Sequence, residues 1–178
     1  MTQSQNRTPS HNKKKDTKKL TTAALFAALA LIFSYIEAIL PLSVGIPGVK
    51  LGIANLVVLI ALYRADFRTA MGINVIRILV AGLLFNGVFG MLYSLAGGML
   101  SLFVMYLLKK TNLFSVTGVS MAGGVAHNMG QLLVASFVVS NLRMFFYLPI
   151  LMFSGIISGI LIGITAYFVN KKIPTSIF

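Results

Sequence analysis

The chain has 178 residues, of which 57% are apolar and 10% are charged, whereas soluble domains carry about 25% charged residues. This composition excludes an ordinary soluble domain and indicates an integral membrane protein. Fifteen Lys and Arg residues against three acidic residues give a formal net charge of +12, but the cations cluster at the ends of apolar runs, which favours a membrane protein over a nucleic-acid binder.

The chain begins with a basic segment and a long apolar run. Residues 1–19 are polar and carry six cations, so we predict a disordered cytoplasmic tail. The run from Leu20 to Leu40 has 21 residues, which is too long for the core of a signal peptide and long enough to cross a bilayer. It predicts the first transmembrane helix.

A stretch rich in proline and glycine follows, from Pro41 to Lys50. We expect an irregular loop there, because these residues interrupt helices. The second span runs from about Lys50 to Tyr63 and is short for a crossing of about 20 residues. The loop is therefore expected to fold into the membrane, where irregular backbone must be buried or face a water-filled cavity. This is the first indication of a binding site.

The rest of the chain predicts four more spans. Arg64 to Arg68 forms a basic turn, and the apolar stretch from Thr69 to Leu108 is long enough for two crossings. Asn86-Gly87 predicts the tight turn between them. The last two spans are predicted from about Phe114 to Ser140 and from about Phe145 to Val169.

The predicted fold class is all-α: an integral membrane bundle of six transmembrane helices within residues 20–172, followed by a cytoplasmic tail at 173–178. Both termini are expected in the cytoplasm, because most cations then lie on the inner side. The six tyrosines fall near the ends of the spans, as an aromatic belt requires. We predict residence in the bacterial plasma membrane.

Several polar side chains fall within the apolar spans, where a charge costs about 2.5–3.5 kcal/mol. They are Glu37, Lys50, Asn55, Asn74, Arg77, His127, Asn128 and Gln131. One reading is that they bond to one another, with Glu37 paired to Arg77 or Lys50. Their number and the irregular loop favour the other reading, a ligand site in the outer half of the bilayer. The ligand would be anionic if one of the two cations lacks a protein counter-charge.

Small residues form a second pattern. The pairs Ala23/Ala27 and Ala24/Ala28 are spaced to let another helix approach the first span closely. Packing inside the bundle explains such pairs equally well, and Gly97-Gly98 and Gly123-Gly124 are assigned to that role.

Several sequence features argue against an enzyme or a cofactor protein. The chain contains no cysteine and only three acidic residues, which excludes thiolate metal sites and most carboxylate chemistry. It has no G-x-x-x-x-G-K-[ST] segment to bind ATP. Its two histidines, His11 and His127, are too few for a metal site. We therefore expect no catalytic residue, no metal and no cofactor.

These features together resemble the substrate-binding components of energy-coupling factor (ECF) transporters. Within that group the chain looks like the family called heptaprenyl diphosphate synthase component I, or Gx transporter family. The similarity extends over about residues 18–172 and rests on Pro47-Gly-Val-Lys-Leu-Gly-Ile-Ala-Asn55, the region of Arg77, and Gly124-Val-Ala-His-Asn-Met-Gly-Gln-Leu132.

The resemblance implies a subunit that captures a small molecule on the outer side of the membrane. It would associate with a transmembrane coupling protein and two cytoplasmic ATPases, and the resemblance places the coupling contact at Ala23, Ala24, Ala27 and Ala28. The synthase label conflicts with the residues, because prenyl diphosphate synthesis needs clustered aspartates that bind Mg²⁺. The alternatives are a non-catalytic accessory subunit of isoprenoid or quinone metabolism, a role in flavin-linked electron export, or an assembly protein without a ligand.

Overall fold

The structure, a computed structural model, describes residues 9–39 and 52–172, with side chains from residue 16 onward. Lys50, the Pro/Gly-rich loop that precedes it and the predicted tail at 173–178 lie outside the described residues. The described chain is helical and contains no strand, which confirms the all-α prediction.

The described residues form six α-helices. A π-helical segment, Gly82–Asn86, joins the third helix to the fourth, and a 3-10 segment, Leu142–Tyr147, precedes the sixth. The helices are α1 (Pro9–Ile39), α2 (Ile53–Arg64), α3 (Phe67–Ala81), α4 (Gly87–Thr111), α5 (Val116–Val138) and α6 (Leu148–Lys172).

The start of α1 corrects the prediction that the whole segment 1–19 is disordered. The helix begins at Pro9, where proline is tolerated because the amide groups of the first turn have no partner within the helix. The following lysines are good helix formers. In addition, Lys19 Nζ binds Asp66 Oδ2 at 2.5 Å, which ties the basic end of α1 to the start of α3.

Three segments of the described chain are long and apolar enough to cross a membrane: Asp16–Ile39, Phe67–Thr111 and Leu142–Lys172. The shorter α2 is also apolar. The segment Phe67–Thr111 contains both α3 and α4. A Cβ at Gly82 would touch Met91, and one at Gly98 would touch Asn74, so the two helices run antiparallel. The reversal occurs next to Gly87, whose φ of +68° favours glycine, as predicted for Asn86-Gly87.

Side-chain contacts define two ends of the bundle. At the Asp66 end, Arg64 Nε donates to Asn170 Oδ1 at 3.1 Å, and Lys109 Nζ donates to the Leu62 carbonyl at 2.6 Å. At the opposite end, called the Arg143 end, Tyr35 contacts Phe85 with ring centroids 5.7 Å apart. Successive helices thus alternate in direction.

Close packing of α5 against both neighbours depends on glycine. A Cβ at Gly97 would lie 2.6 Å from the His127 carbonyl, so α4 and α5 approach at backbone distance. A Cβ at Gly124 would collide with the Gly155 carbonyl, which places α5 equally close to α6. The assignment of Gly97-Gly98 and Gly123-Gly124 to internal packing is confirmed.

The core lies around α2. Residues Val57 to Leu62 are all buried, and they cluster with buried side chains of each of the other helices, including Ala30, Ala70 and Ala166. A helix that is apolar on every side is expected to be surrounded by protein or lipid. Here neighbouring helices surround it.

The charge of Asp66 contributes to the contact between α1 and α3. Its Oδ1 accepts the backbone N–H of Thr69 at 2.7 Å. The Lys19 hydrogen bond, followed by that of Thr69, lowers the pKa of Asp66 from 3.8 to about 2. Because the folded-state pKa lies below the unfolded value, this stabilisation is present above pH about 4 and is lost as the pH falls towards 2.

We expect the unfolding temperature of the wild-type protein in mild detergent to fall more steeply than that of Asp66→Asn between pH about 5 and 2.5. Asparagine still caps the helix, so the difference reports the carboxylate. The effect is small, below about 1 kcal/mol, because both partners are about half exposed. Identical pH profiles would contradict this role of Asp66.

Candidate functional site

Arg77 is the centre of a buried polar cluster. Its side chain is 8% exposed, and its Nη2 donates to Asn74 Oδ1 at 2.7 Å and to Asn55 Oδ1 at 2.9 Å. Asn74 lies one turn before Arg77 on α3, which is why the two share a face. Asn55 reaches the cluster from the first turn of α2.

Glu37 has a different partner from the one expected. Its Oε1 accepts the backbone N–H of Ile53 at 2.7 Å, so the carboxylate binds the amino end of α2, where the helix dipole favours an anion. Among the described residues, an ion pair joins Lys19 to Asp66 but none joins Glu37 to Arg77. The expected direct bond between Glu37 and Arg77 is therefore not formed, although the two side chains line the same cavity. The pairing of Glu37 with Lys50 concerns a residue outside the described part.

Two donors of the cluster remain without a hydrogen-bond partner in the described structure. They are Nε of Arg77 and Nδ2 of Asn74. A buried donor without a partner costs about 1–3 kcal/mol, so such groups indicate a position where water or a ligand atom completes the set. Both donors need an acceptor, which suits an anionic or carbonyl-bearing group.

Two small polar cavities adjoin this cluster. One, of about 40 Å³, is lined by Glu37, Asn55 and Arg77 together with Ser34 and Ser94. The other, of about 30 Å³, lies between α2, α4, α5 and α6 and includes Asn128. Each has room for one or two water molecules. Gly52, Asn55, His127 and Gln131 line both cavities.

A larger cleft of about 470 Å³ opens at the Arg143 end, between α4, α5 and the segment before α6. Most of its wall is apolar. Its polar wall residues include Ser94, Asn128 and Gln131, which also line the smaller cavities. The volume lies within the range of about 300–1,000 Å³ that is typical of small-molecule sites.

The structure brings most of the predicted site residues together. Glu37, Asn55, Arg77, His127 and Gln131 line one cavity, and Asn74 binds Arg77 beside it. Asn128 has a structural contact as well, since its Nδ2 donates to the Leu151 carbonyl of α6 at 2.7 Å. Their role in binding stays a prediction.

Sequence reasoning missed the serines of these cavities, such as Ser34, Ser94 and Ser101. A serine in an apolar span gives a weak signal, because its hydroxyl can also bond to its own helix. Ser34 does so by donating to the Ala30 carbonyl at 2.9 Å.

The four alanines of α1 differ in exposure. Ala23 and Ala27 are partly buried against the core, whereas Ala24 and Ala28 are exposed. The assignment of all four to a partner contact stays a prediction, with Ala24 and Ala28 as its most accessible positions.

The comparisons with known proteins agree with the membrane character of the chain. The family model described as heptaprenyl diphosphate synthase component I matches residues 26–169, which include α2 to α5, the C-terminal part of α1 and most of α6. Neither the curated proteins nor the solved structures gave a match.

Proposed function

The chain belongs to the heptaprenyl diphosphate synthase component I family, and from this membership and its buried polar site we propose that it is the substrate-binding subunit of an ECF-type importer. It captures a small anionic molecule from the outer side of the membrane. The observation that carries the proposal is Arg77, a buried cation whose contacts are neutral amides and whose Nε lacks a partner in the described structure.

The proposed ligand supplies what the site lacks. Glu37 lines the same cavity, but its carboxylate binds the Ile53 amide and forms no ion pair with Arg77 among the described residues. Arg77 presents a planar group that binds both oxygens of a carboxylate or phosphate. Asn55 and Gln131, which line the same cavity, provide neutral hydrogen bonds around it, and Asn74 holds Arg77 from behind. The site can therefore hold an anion without a metal or a cofactor.

The proposed arrangement is six transmembrane helices in the bacterial plasma membrane, with the Asp66 end in the cytoplasm. This end carries Arg64, Arg68, Lys109, Lys110, Lys171 and Lys172, whereas Arg143 is the described cation of the opposite connection. An excess of Lys and Arg in short loops marks the cytoplasmic side. The cleft and Glu37 then lie towards the outer side.

The subunit is proposed to be non-catalytic. Its acidic residues are Asp16, Glu37 and Asp66, of which Asp66 binds Lys19 at one end and Glu37 caps α2 at the other. The aspartate cluster that would hold Mg²⁺ on a diphosphate is missing from the sequence. Energy for uptake comes from the proposed partners, a transmembrane coupling protein and two cytoplasmic ATPases.

The exposed face of α1 that carries Ala24 and Ala28 is the proposed contact with the coupling protein. Ala28→Leu places a larger side chain where two helices approach closely, so we expect co-purification of the coupling protein and ATPases to fall at least about tenfold while the subunit stays folded. Thr165→Leu, at an exposed position of α6, is the matched control and should co-purify normally. Wild-type recovery with Ala28→Leu would reject this docking surface.

A second function has one observation in its favour, the family's own description as a component of heptaprenyl diphosphate synthase. In that case the protein is a membrane accessory subunit of isoprenoid or quinone metabolism. Purification from its native membrane in mild detergent separates the two. Recovery of ATPases supports import, whereas recovery of a soluble prenyl synthase without ATPases supports the accessory role.

A further inference from the structure

The cleft at the Arg143 end differs in character from the cavity beside Arg77. Its wall is formed by apolar and aromatic side chains, such as Tyr93, Leu132 and Tyr147. The cavity beside Arg77 holds about 40 Å³ and is lined by charged and amide groups. The two differ about tenfold in volume, so a ligand that uses both has a large apolar part and a small polar part.

Gln131 and Ser94 connect the two spaces, because each lines both the apolar cleft and the cavity of Arg77. Gln131 lies at the deep end of the cleft, since Ala135 and Val139 follow it on α5 towards the Arg143 end. The side chain of Gln131 makes no hydrogen bond to the described residues. It is therefore available to a ligand that passes from one space into the other.

On the basis of the proposed substrate-binding role, we propose that the ligand is amphipathic, with an apolar body in the cleft and an anionic head that points past Gln131 to Arg77. The head is small, of the size of a carboxylate, because the inner cavity holds little more than two water molecules. The body is a chain on the order of ten carbon atoms, from the cleft volume of about 470 Å³.

The direction of the ligand follows from the placement of donors. The Nε donor of Arg77, which has no partner in the described structure, lies at the inner end. Tyr147, in the segment before α6, lies at the outer end of the cleft, where its aromatic ring offers apolar contact. A molecule with its charged group at the mouth and its tail inwards would leave the Nε donor of Arg77 without an acceptor and place a chain among amides.

A fluorescence experiment tests this proposal, because the chain contains no tryptophan. Tyr147→Trp places a reporter at the cleft, and Phe153→Trp, at an exposed position of α6 that does not line it, is the matched control. The full chain is placed in nanodiscs of unbrominated lipid. The probe is decanoate carrying bromine at the end of its chain, which quenches a nearby tryptophan, and brominated decanol is the uncharged equivalent.

We expect brominated decanoate to quench the Tyr147→Trp reporter in a saturable manner. In Phe153→Trp the quenching should rise linearly with the probe concentration, as for a group exposed to lipid. Adding Arg77→Gln should weaken the apparent affinity at least about tenfold and remove the preference for decanoate over decanol. Ala135→Phe fills the cleft and should abolish saturation, whereas Leu133→Phe, on the exposed side of the same helix, should not. The second pair keeps the test decisive if Arg77→Gln fails to fold.

The proposal would be overturned if the two reporters were quenched equally. It would also be overturned if neither Arg77→Gln nor Ala135→Phe changed the saturable quenching of the Tyr147→Trp reporter. Nanodiscs of brominated phospholipid distinguish the source of the chain. If the brominated phospholipid itself quenches the Tyr147→Trp reporter to saturation and decanoate does not relieve that quenching, the cleft is a groove for bilayer lipid. This result would also overturn the proposal. The assay needs no ATPases, so it is independent of the co-purification test. If the amphipathic site is found but no coupling partner co-purifies, import is rejected and this inference stands. If a coupling partner co-purifies but the site is absent, this inference is rejected and import stands.

Discussion

Arg77→Gln is expected to remove nearly all of the small molecule that co-purifies with the wild-type protein, whereas Arg77→Lys retains an intermediate amount. A hydrogen bond to a charged group contributes about 1.5–3 kcal/mol, which corresponds to an affinity change of roughly 10- to 100-fold. Lysine keeps the charge but loses the planar group that binds two oxygens. Glutamine can still bond to Asn55 and Asn74, so the fold should persist.

The measurement is mass spectrometry of the extracted ligand per mole of protein, together with the unfolding temperature of each variant. Arg143→Gln, which removes an exposed cation at the same end of the bundle, is the control and should bind normally. If the role of Arg77 is purely structural, the unfolding temperature of both Arg77 variants should fall in parallel with the amount of bound ligand. Unchanged occupancy in both variants would remove Arg77 from the site.

Gly155→Ala is expected to lower the free energy of unfolding by about 3 kcal/mol or more. Its Cβ would lie 2.8 Å from the Gly124 carbonyl carbon and from the Val125 backbone nitrogen, and neither can rotate away. Helices α5 and α6 must therefore separate, and the loss of packing free energy exceeds the gain from burying one additional methyl group. Since α5 carries His127 and Gln131, ligand occupancy should fall as well.

The control for this substitution is Gly72→Ala on α3. Nothing lies within 4 Å of a Cβ at Gly72, so alanine should be neutral or stabilise the helix by up to about 1 kcal/mol. Unfolding of both variants in mild detergent, followed by far-ultraviolet circular dichroism, gives the comparison. Similar stability of the two variants would show that α5 and α6 separate without cost.

The sequence was sufficient to predict the elements whose signals are local. Apolar runs between basic clusters predicted the helices, and Asn86-Gly87 predicted the reversal between α3 and α4, because that reversal depends on the positive φ of one glycine. The polar residues that line the cavity beside Arg77 were also found, because an amide or a charge in an apolar span stands out from its neighbours.

Features that depend on distant partners could not be predicted. The contact of α1 with the start of α3 joins Lys19 to Asp66, 47 residues away, and a lysine-rich segment alone resembles a disordered tail. Likewise, Glu37 was expected to bind a cation but binds the backbone of Ile53. The spacing of the alanines gave no indication of which pair faces the core, because α1 is apolar on both sides and lacks a polar stripe to orient it.

The burial of α2 has a consequence for the order in which the protein is made. Its 12 residues extend about 18 Å, short of a hydrocarbon layer of about 30 Å. The Leu62 carbonyl near its end is bound by Lys109, which the ribosome adds 47 residues later, and the side chains of α4 and α6 that cover the helix also follow it. During synthesis α2 is therefore made before the residues that cover it. We expect its packing to be completed only when the second half of the chain has been made.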